Sequence, residues 1–383
     1  MIYNINKIAI ATHHLVYGAP QALKDYLVSR KITKLLYISH PLFVDNTKSF
    51  FEVIVKSKVQ IKKQWSFRLP ISILNYPLEL LLTIFWVVKQ KEKYDIFIGV
   101  DNLNAFAGII LKKLGLVKKV IYYTIDFVPK RFTYPPLDNL YHWADALCLK
   151  YADETWNVSP RISEAREKFK GLRRSLYNRQ KIVPIGVWTD KIKKIPFANV
   201  KKHQLLYLGS LVKKQGVQLI ISVIPDIIKK IKDFHFLIIG GGSYESALQR
   251  LAIALKVEKH ITFKGWVKNR KLLDSLLSDS ALAVAMYRKE SDNYSYFADP
   301  TKLKDYLSAG LPIIMTNVPH SAPEIVKNQC GTIINYSKED LKKALLKYLT
   351  DEEMLKTYRQ NALRYIKKFD WNIIFGRSLN PLL

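Results

Sequence analysis

Residues 298–315 read ADPTKLKDYLSAGLPIIM, and their pattern predicts a helix followed by a strand. Pro300 suits the first position of a helix because its missing N–H would have no helical partner there, and Asp299 just before it can cap free backbone donors. Gly310 ends the predicted helix, and residues 312–315 form a short apolar run that is typical of a buried parallel strand. A helix that leads directly into a core strand is a unit of an α/β fold.

The first turn of this helix is suited to an anion because its free N–H groups and its dipole favour negative charge. Lys302 in that turn is a poor choice for the dipole alone and a good choice for a bound phosphate. The alternative is an ordinary helix–strand unit with a solvated lysine. On this stretch alone, neither interpretation is favoured.

The stretch resembles the donor-site helix of retaining glycosyltransferases of the GT-B fold, in the large family four group. The matching residues are Pro300, Lys302, Asp305, Tyr306, Gly310, Pro312 and Ile313. The resemblance implies that Asp305 holds the ribose hydroxyls of a nucleoside-diphosphate sugar and that Lys302 meets the charge of its diphosphate. The family often has a glutamate where this chain has Phe297, and Asp299 is the predicted substitute in contact with the donor sugar.

Strands that alternate with helices along the chain predict two doubly wound parallel sheets, each in a Rossmann-like α/β domain. We expect residues 1–188 to form an acceptor-side domain, residues 204–368 to form a nucleotide-sugar-binding domain, and residues 189–203 to link them. Residues 369–383 are predicted as a tail that can return to the first domain. The resemblance implies that the two domains face each other across a cleft, as in GT-B enzymes.

The resemblance is most specific over residues 206–331, where six short motifs occur in the family's order. It implies that the donor is bound by residues of these motifs, namely Gly209, Ser210, Gly240, Gly241, Trp266 and Val267. The glycines at 240–242 follow a strand and precede a helix, which is the context that a phosphate-binding loop requires. Family members usually have an arginine and a lysine on the diphosphate where this chain has Ser210 and Gln215, so Lys213 and Lys214 are the predicted replacements. We predict that residues 323–326 and 331–335 close the second sheet as strands.

In the first half, Asp126 follows the predicted strand that starts at Lys119, at the carboxyl end where open α/β sheets bind ligands. We predict an active-site role for Asp126 in contact with the acceptor or the donor sugar; the alternative is that it caps a loop. Lys130 and Arg131 follow closely and are predicted to bind an acceptor phosphate. The resemblance implies that the loop with Gly18 faces the transferred sugar and diphosphate.

The chain has 61 basic and 32 acidic residues, a net charge of +29, which calls for an anionic partner. We predict that the basic run at 165–181, an arm with Lys62, Lys63 and Trp65, and an interfacial or core helix within 71–88 bind an anionic membrane surface. The acceptor would then be a glycan or a lipid-linked precursor. We expect a peripheral protein on the cytoplasmic face of the membrane.

Two distant cysteines, Cys148 and Cys330, predict no disulfide and a reducing compartment, and no signal peptide is expected because the chain enters a strand at once. The sequence contains no Asp-x-Asp metal motif, so we predict a metal-independent transfer with the nucleotide sugar as co-substrate and no other cofactor. Two rivals stay open, a nucleotide-sugar epimerase on the same scaffold and a basic nucleic-acid-binding protein. No known nucleic-acid motif is present, so we expect no nucleic-acid partner.

Overall fold

The computed structural model describes residues 6–14, 17–42, 48–67, 69, 74–177, 179–192, 194–290 and 293–382. The chain divides into two compact units. Unit one comprises Met1–Ile185 and Trp371–Leu383, and unit two comprises Gly186–Asp370. The division lies within three residues of the predicted domain boundary at 188, and the predicted tail begins within two residues of the return to unit one.

The sheet of unit one has eight strands among the described residues. They are β1 (Lys7–His14), β2 (Lys34–Pro41), β3 (Ser49–Val55), β4 (Lys58–Trp65), β5 (Tyr94–Val100), β6 (Val117–Thr124), β7 (Glu154–Asn157) and β8 (Gln180–Ile182). Their order is β4-β3-β2-β1-β5-β6-β7-β8, and β3 pairs antiparallel with both of its neighbours while the other pairs are parallel. The predicted α/β unit is confirmed, with an antiparallel hairpin added at one edge.

Five helices connect these strands. They are α1 (Ala19–Ser29), α2 (Asn75–Lys89), α3 (Asn102–Lys113), α4 (Pro135–Tyr151) and α5 (Pro160–Lys170). α2 packs on α3 and α3 packs on α4, so these three helices form one layer over the sheet. Trp86 of α2 and Phe97 of β5 lie in the core between them. The strand order reverses at the β1–β5 pair, which makes the carboxyl ends of these two strands the switch point of unit one.

Unit two is built on a sheet with the order β11-β10-β9-β12-β13-β14, in which every pair is parallel. The strands are β9 (Lys201–Leu208), β10 (His235–Ile239), β11 (Ile261–Phe263), β12 (Ser280–Ala285), β13 (Ile313–Met315) and β14 (Gly331–Ile333). Its switch point is the β9–β12 pair. β9 begins at Lys201, inside the predicted linker, and residues 186–200 belong to the same unit.

The helices of unit two are α6 (Val217–Lys230), α7 (Glu245–Ala254), α8 (Arg270–Asp279), α9 (Thr301–Ser308), α10 (Ala322–Lys327), α11 (Lys338–Thr350) and α12 (Glu352–Tyr365). The chain then enters α13 (Trp371–Leu379), which packs against α1 in unit one. The strand predicted at 323–326 is wrong, because these residues lie in α10. A short apolar run does not distinguish a strand from a buried helix, and here Pro323 and Glu324 in the first turn favour the helix.

Alternate residues of β9 point into two separate cores, one on each face of the unit-two sheet. Leu205 and Tyr207 pack against the α6 side, while Leu206 packs against the side that contains α9. Burial on both faces is the reason why residues 205–208 form one continuous apolar run.

Candidate active site

Helix α9 is fixed at the carboxyl ends of β9 and β12 by Tyr306, which is fully buried. The backbone N–H of Leu208 donates to Tyr306 Oη at 2.7 Å, and that hydroxyl donates to the carbonyl of Val284 at 3.3 Å. Leu303 and Leu307 pack beside it in the core. The helix is therefore held with its first turn at the switch point of unit two, where α/β sheets bind ligands.

The amine of Lys302 lies in this first turn without an acidic partner. Its Nζ donates to Gln215 Oε1 at 2.8 Å and lies 4.5 Å from the centre of the Tyr207 ring. Among the described residues, no carboxylate forms an ion pair with it. Burial lowers the pKa of Lys302 to about 7. A buried amine that lacks its own counter-ion is what an anionic ligand requires.

Two loops with glycines lie next to each other on this side of the sheet, the first glycine loop (residues 209–216) after β9 and the second glycine loop (residues 240–244) after β10. A Cβ atom on Gly209, where φ is +140°, would lie 2.7 Å from Lys302 Nζ. A Cβ atom on Gly240, where φ is +128°, would lie 2.0 Å from the carbonyl oxygen of Gly209. Only glycine fits at these positions, and the backbones of the two loops therefore come into direct contact beside the lysine.

The second glycine loop is covered by an aromatic side chain. A Cβ atom on Gly241 would lie 2.8 Å from Trp266 Nε1, and the Trp266 side chain is otherwise exposed. The N–H of Gly240 donates to the carbonyl of Gly265 at 2.9 Å, which ties this loop to the loop after β11. Val267 packs against the core on the α9 side. Of the predicted donor residues, Gly209 therefore lies beside Lys302, Gly240 lies against Gly209, and Gly241 lies against Trp266.

Asp305 lies one turn after Lys302 and pairs with a residue that the sequence did not single out. Arg270 Nη2 donates to Asp305 Oδ1 at 3.0 Å, and Arg270 Nε forms an ion pair with Asp274 at 2.8 Å. Burial raises the pKa of Asp305, and the guanidinium opposes that shift. Asn269 caps α8 by accepting from the N–H of Leu272, which fixes the position of Arg270 at the start of this helix.

Asp299 does not cap α9. The helix begins at Thr301 with Pro300 in the cap position, without a side-chain hydrogen bond to the cap, so both the predicted cap and the predicted first helical residue are wrong. The carboxylate of Asp299 instead accepts from Lys304 Nζ at 3.0 Å, and both side chains are buried. Its predicted contact with the donor sugar stays a prediction.

The remaining donor residues lie in the first glycine loop. The carbonyl of Ser210 accepts from Tyr207 Oη at 2.8 Å. Lys213 is exposed, and Lys214 is half-buried with its amine 5.3 Å from the centre of the Tyr294 ring. Gln215, which stands where the family has a lysine, is the residue of this loop that contacts Lys302. That either Lys213 or Lys214 binds the diphosphate stays a prediction.

Asp126 of unit one lies two residues beyond β6 and accepts from Arg131 Nη1 at 2.9 Å. The backbone of this loop is held by another carboxylate, Asp138, which accepts from the N–H groups of Arg131 and Phe132 at 2.6 and 3.0 Å. The active-site role of Asp126 and the alternative that it caps this loop both stay predictions. Lys130 is exposed beside this pair.

Gly18 is the residue that precedes α1. Its N–H donates to the side chain of Gln21 at 2.9 Å, which helps to start the helix. Residues 15 and 16 of the same loop lie outside the described residues. The predicted approach of this loop to the transferred sugar stays a prediction.

A second polar cluster lies at the switch point of unit one, and the sequence did not predict it. His13 Nδ1 lies 2.7 Å from Asp101 Oδ2, and His13 Nε2 lies 3.0 Å from Glu79 Oε2. Burial alone would lower the pKa of His13, but Asp101 and Glu79 raise it to about 10, so the ring is a cation at neutral pH. We call His13, Glu79 and Asp101 the histidine cluster.

The basic run predicted at 165–181 is not one exposed face. Arg166 is fully buried and forms an ion pair with Asp145 at 2.7 Å. Lys170 lies 3.5 Å from Asp138, and Lys181 lies 2.8 Å from Glu154. Including Arg166 in a membrane-binding surface is wrong, because it is needed to neutralise a carboxylate inside unit one.

Comparison with known proteins identifies the class. Residues 189–365, nearly all of unit two, match the family described as glycosyl transferases group 1. The chain is therefore an enzyme, a glycosyltransferase that uses a nucleotide sugar.

Two curated relatives and one solved structure extend this result. The chain is 24% identical over 324 residues to an uncharacterized glycosyltransferase of Methanocaldococcus jannaschii, a match that covers 76% of this chain and 85% of that protein. It is 27% identical over 177 residues to the GDP-mannose-dependent alpha-(1-6)-phosphatidylinositol monomannoside mannosyltransferase of Mycobacterium tuberculosis, over 40% of this chain and 42% of that one. The structure of Anabaena HepE in complex with UDP has a TM-score of 0.70 at 12% identity and covers 99% of both chains. The GT-B fold class is thereby confirmed.

Proposed function

We propose that this enzyme transfers a glycosyl group from a nucleoside-diphosphate sugar to an acceptor hydroxyl with retention of configuration, and that the acceptor is a lipid-linked glycan or polysaccharide precursor at a membrane surface. One observation supports the donor half most strongly. The amine of Lys302 is buried beside two loops where only glycine fits, and it has no carboxylate partner among the described residues. The diphosphate is the anion that completes this arrangement.

In the proposed reaction the bond between the sugar and the diphosphate breaks while the acceptor oxygen bonds to the same carbon on the same face. The leaving diphosphate gains negative charge, which Lys302 and the free N–H groups at the start of α9 stabilise. Asp305 accepts from the ribose hydroxyls of the nucleotide. The proposed transfer needs no metal ion, so we expect turnover to be undiminished in the presence of EDTA.

The donor half is tested by measuring how nucleotides change the melting temperature. We expect UDP or GDP, the nucleotides named for the Anabaena and mycobacterial proteins, to raise it more than uridine or guanosine does. Lys302→Met should remove the advantage of the diphosphate, because it removes the cation and keeps the length of the side chain. Asp305→Asn should weaken the response to the nucleoside as well. Lys229→Met, on an exposed lysine of α6, is the matched control.

The result that contradicts the donor half is a wild-type protein whose melting temperature responds to no nucleoside diphosphate. Retention is tested separately, by determining the anomeric configuration of the product by NMR. An inverted product contradicts the proposed stereochemistry and leaves the donor site standing.

The membrane half is supported by the two faces of α2. Leu81, Phe85 and Val88 lie at helical spacing and are exposed, while Glu79 and Trp86 on the other side of the helix are buried. No helix of the described residues is long and apolar enough to cross a bilayer. An apolar face on a helix that lies over a basic unit is typical of binding within the plane of a membrane interface.

Exposed aromatic and basic side chains add to this surface. Trp143 and Tyr151 of α4 are exposed in the same helix layer as α2, and the amines of Lys113 and Lys150 each lie 5.3 Å from the Tyr151 ring centre. Lysine near an anionic lipid surface contributes about 1 kcal/mol each at moderate salt. We therefore propose a peripheral protein on the cytoplasmic leaflet of a membrane, and no nucleic-acid partner.

Flotation with vesicles of phosphatidylglycerol and phosphatidylcholine tests the membrane half. We expect binding to vesicles that contain phosphatidylglycerol, and we expect Leu81→Ser with Phe85→Ser to reduce it about tenfold or more, since each apolar side chain contributes more than 1 kcal/mol on burial. Ile253→Ser, on an exposed residue of α7 in unit two, is the matched control. Failure of the wild-type protein to float with anionic vesicles at low salt contradicts the proposal.

The family match favours sugar transfer over the epimerase alternative. Nucleic-acid binding is tested by a salt-titrated filter-binding assay with RNA and DNA. Retention of either at physiological salt would contradict the expectation that no nucleic acid is bound.

A further inference from the structure

We infer that Asp101 of the histidine cluster binds the attacking hydroxyl of the acceptor, and that His13 and Glu79 are positioning residues that hold Asp101 in place. This inference rests on the proposed function and names the residue in unit one that receives the acceptor. It takes a neutral hydroxyl group as its ligand, the chemical group that a sugar or polyol acceptor presents.

His13 and Asp101 lie at the carboxyl ends of β1 and β5. Ala11 of β1 pairs with Gly99 of β5, and two residues further along these strands are His13 and Asp101. This is the pair at which the strand order reverses. Ligands of open α/β sheets bind outside the carboxyl ends of the strands at such a point. The histidine cluster is therefore placed where unit one would receive a substrate.

The three side chains of the histidine cluster differ in how far they are exposed. The side chains of His13 and Glu79 are 6% and 4% exposed, whereas that of Asp101 is 28% exposed. Asp101 Oδ1 accepts from the N–H of Asn104 at 3.1 Å, and Oδ2 bonds to His13. The side-chain amide of Asn104 also donates to both oxygens of Asp101, at 3.3 and 3.2 Å. Asp101 is thus the member of the cluster that solvent, and therefore a ligand, can reach.

The net charge of the histidine cluster suits a neutral hydroxyl better than a phosphate. One imidazolium between two carboxylates leaves one negative charge in the cluster. Such a cluster repels a phosphate and accepts a hydrogen bond from a neutral hydroxyl. The cation that suits an acceptor phosphate is Arg131, which lies near the end of the neighbouring strand β6. A phosphorylated polyol or glycan needs a group that accepts from its hydroxyl and a cation for its phosphate. Asp101 and Arg131 provide these two groups near the carboxyl ends of the neighbouring strands β5 and β6.

The backbone of Asp101 has an unusual conformation. Its φ of 72° and ψ of 170° fall in a region that is essentially restricted to glycine. The conformation is held by the N–H of Asp101, which donates to the Tyr123 carbonyl at 3.0 Å, and by its carbonyl, which accepts from Ala105 at 3.1 Å. Residues other than glycine persist in such conformations mainly where function requires it, because the strain costs on the order of 1–3 kcal/mol.

In the transfer step, the bond from the acceptor oxygen to the sugar forms as the bond to the diphosphate breaks, and the hydroxyl proton passes to the leaving diphosphate. Asp101 accepts a hydrogen bond from the hydroxyl before this step and so orients the oxygen. It does not keep the proton. His13 and Glu79 contribute by fixing the carboxylate, because a displacement of about 1 Å at a reacting group can lower turnover about 100-fold.

The test uses Asp101→Asn, since asparagine tolerates positive φ and caps helices well. We measure the affinity for UDP- and GDP-sugars by calorimetry and the turnover of the donor, both to n-octyl glycosides and, more slowly, to water. Asp101 orients either kind of hydroxyl, so we expect turnover to fall about 100-fold or more in both assays while donor affinity is unchanged. Asp25→Asn, on a half-buried aspartate of α1 that bonds to Tyr17, is the matched control.

Glu79→Gln tests the positioning role. We expect a smaller loss of kcat, about tenfold, with the KM for the donor unchanged. Histidine ¹⁵N resonances give an independent readout. His13 faces Asp101, Glu79, Asn104, His40 and Tyr76, and removal of one carboxylate should move its titration toward neutral pH. Normal kcat in Glu79→Gln with a shifted titration would overturn the positioning role.

The outcomes for the inference and for the proposed function are distinct. If the wild-type protein binds no nucleotide sugar, the proposed function fails. If the donor binds and Asp101→Asn turns it over normally, the inference is overturned. A loss of donor affinity in parallel with turnover would also overturn it, because Asp101 would then have only a structural role.

Discussion

Lys302 is the residue whose protonation we expect to follow donor binding. Its pKa is about 7 in the free enzyme because the amine is buried without an acidic partner. A bound diphosphate favours the charged amine, so the enzyme should take up a proton when the donor binds above pH 7. Calorimetry of UDP or GDP binding in two buffers of different ionisation enthalpy measures this uptake. Equal heats in both buffers would contradict the assignment of Lys302 to the diphosphate.

The same pKa predicts how stability depends on pH. An unfolded lysine keeps its proton to about pH 10.4, whereas folded Lys302 releases it near pH 7. Between these values the unfolded chain binds more protons, so this residue adds stability as the pH rises from about 7 to about 10. We expect the free energy of unfolding of the wild-type protein to gain on that of Lys302→Met over this range. Saturation with the diphosphate should abolish the difference in slope.

The sequence predicted part of the donor site, namely two of its side chains. It singled out Lys302 and Asp305 because they lie in one motif on one helix, and the structure places both in the same first turns. It did not single out Arg270, the partner of Asp305, which is 35 residues away along the chain. An ion pair between two helices depends on how they pack, and a motif within one helix contains no information on that packing.

The contact between the two glycine loops predicts unequal effects of two substitutions. Gly240→Ala would place a Cβ atom 2.0 Å from the carbonyl oxygen of Gly209, so the loops would have to separate. Gly265→Ala has a positive φ of 66° but nothing within 4 Å of the added atom. We expect Gly240→Ala to lower the free energy of unfolding by roughly 3 kcal/mol or more and Gly265→Ala by about 1 kcal/mol.

Urea unfolding measures both values. Donor affinity should fall in Gly240→Ala, because the separated loops no longer lie beside Lys302, and should be retained in Gly265→Ala. Equal losses of stability in the two variants would show that backbone conformation alone explains the requirement for glycine, and the role of the loop contact would be wrong.

The alternation of strands and helices along the sequence was enough to predict both sheets. The pairing of the antiparallel hairpin β3–β4 with β2 was not predicted, because pairing depends on sheet order. The histidine cluster escaped prediction for the same reason. Glu79 and Asp101 are 66 and 88 residues from His13, and only the order of the strands brings them together.

Each unit has its own core, and Lys302, Asp305 and both glycine loops lie in unit two. A ligand at about 100 times its Kd stabilises the state that binds it by about 2.7 kcal/mol. Hydrogen exchange of amides that open with unit two should therefore slow about 100-fold when UDP or GDP is bound.

Mass spectrometry of peptides from β9 and β10 checks this expectation, and peptides from β5 and β6 serve as the internal control. We expect the control peptides of unit one to exchange at unchanged rates. Slowing of equal size in both sets would show that the two units unfold together and would contradict separate responses.

The edge strand β4 affects whether the protein self-associates at high concentration. Every residue of β4 is exposed, and Val59, Ile61 and Trp65 alternate onto one face with Lys63. A free strand edge with apolar side chains is a template on which a second molecule can add a strand, and lysines on that strand keep copies apart by repulsion. Salt screens this repulsion, since the Debye length falls from about 10 Å at 0.1 M to about 3 Å at 1 M. The ionic strength that would release the protein from the proposed anionic surface would thus also weaken the repulsion that protects its molecules against self-association.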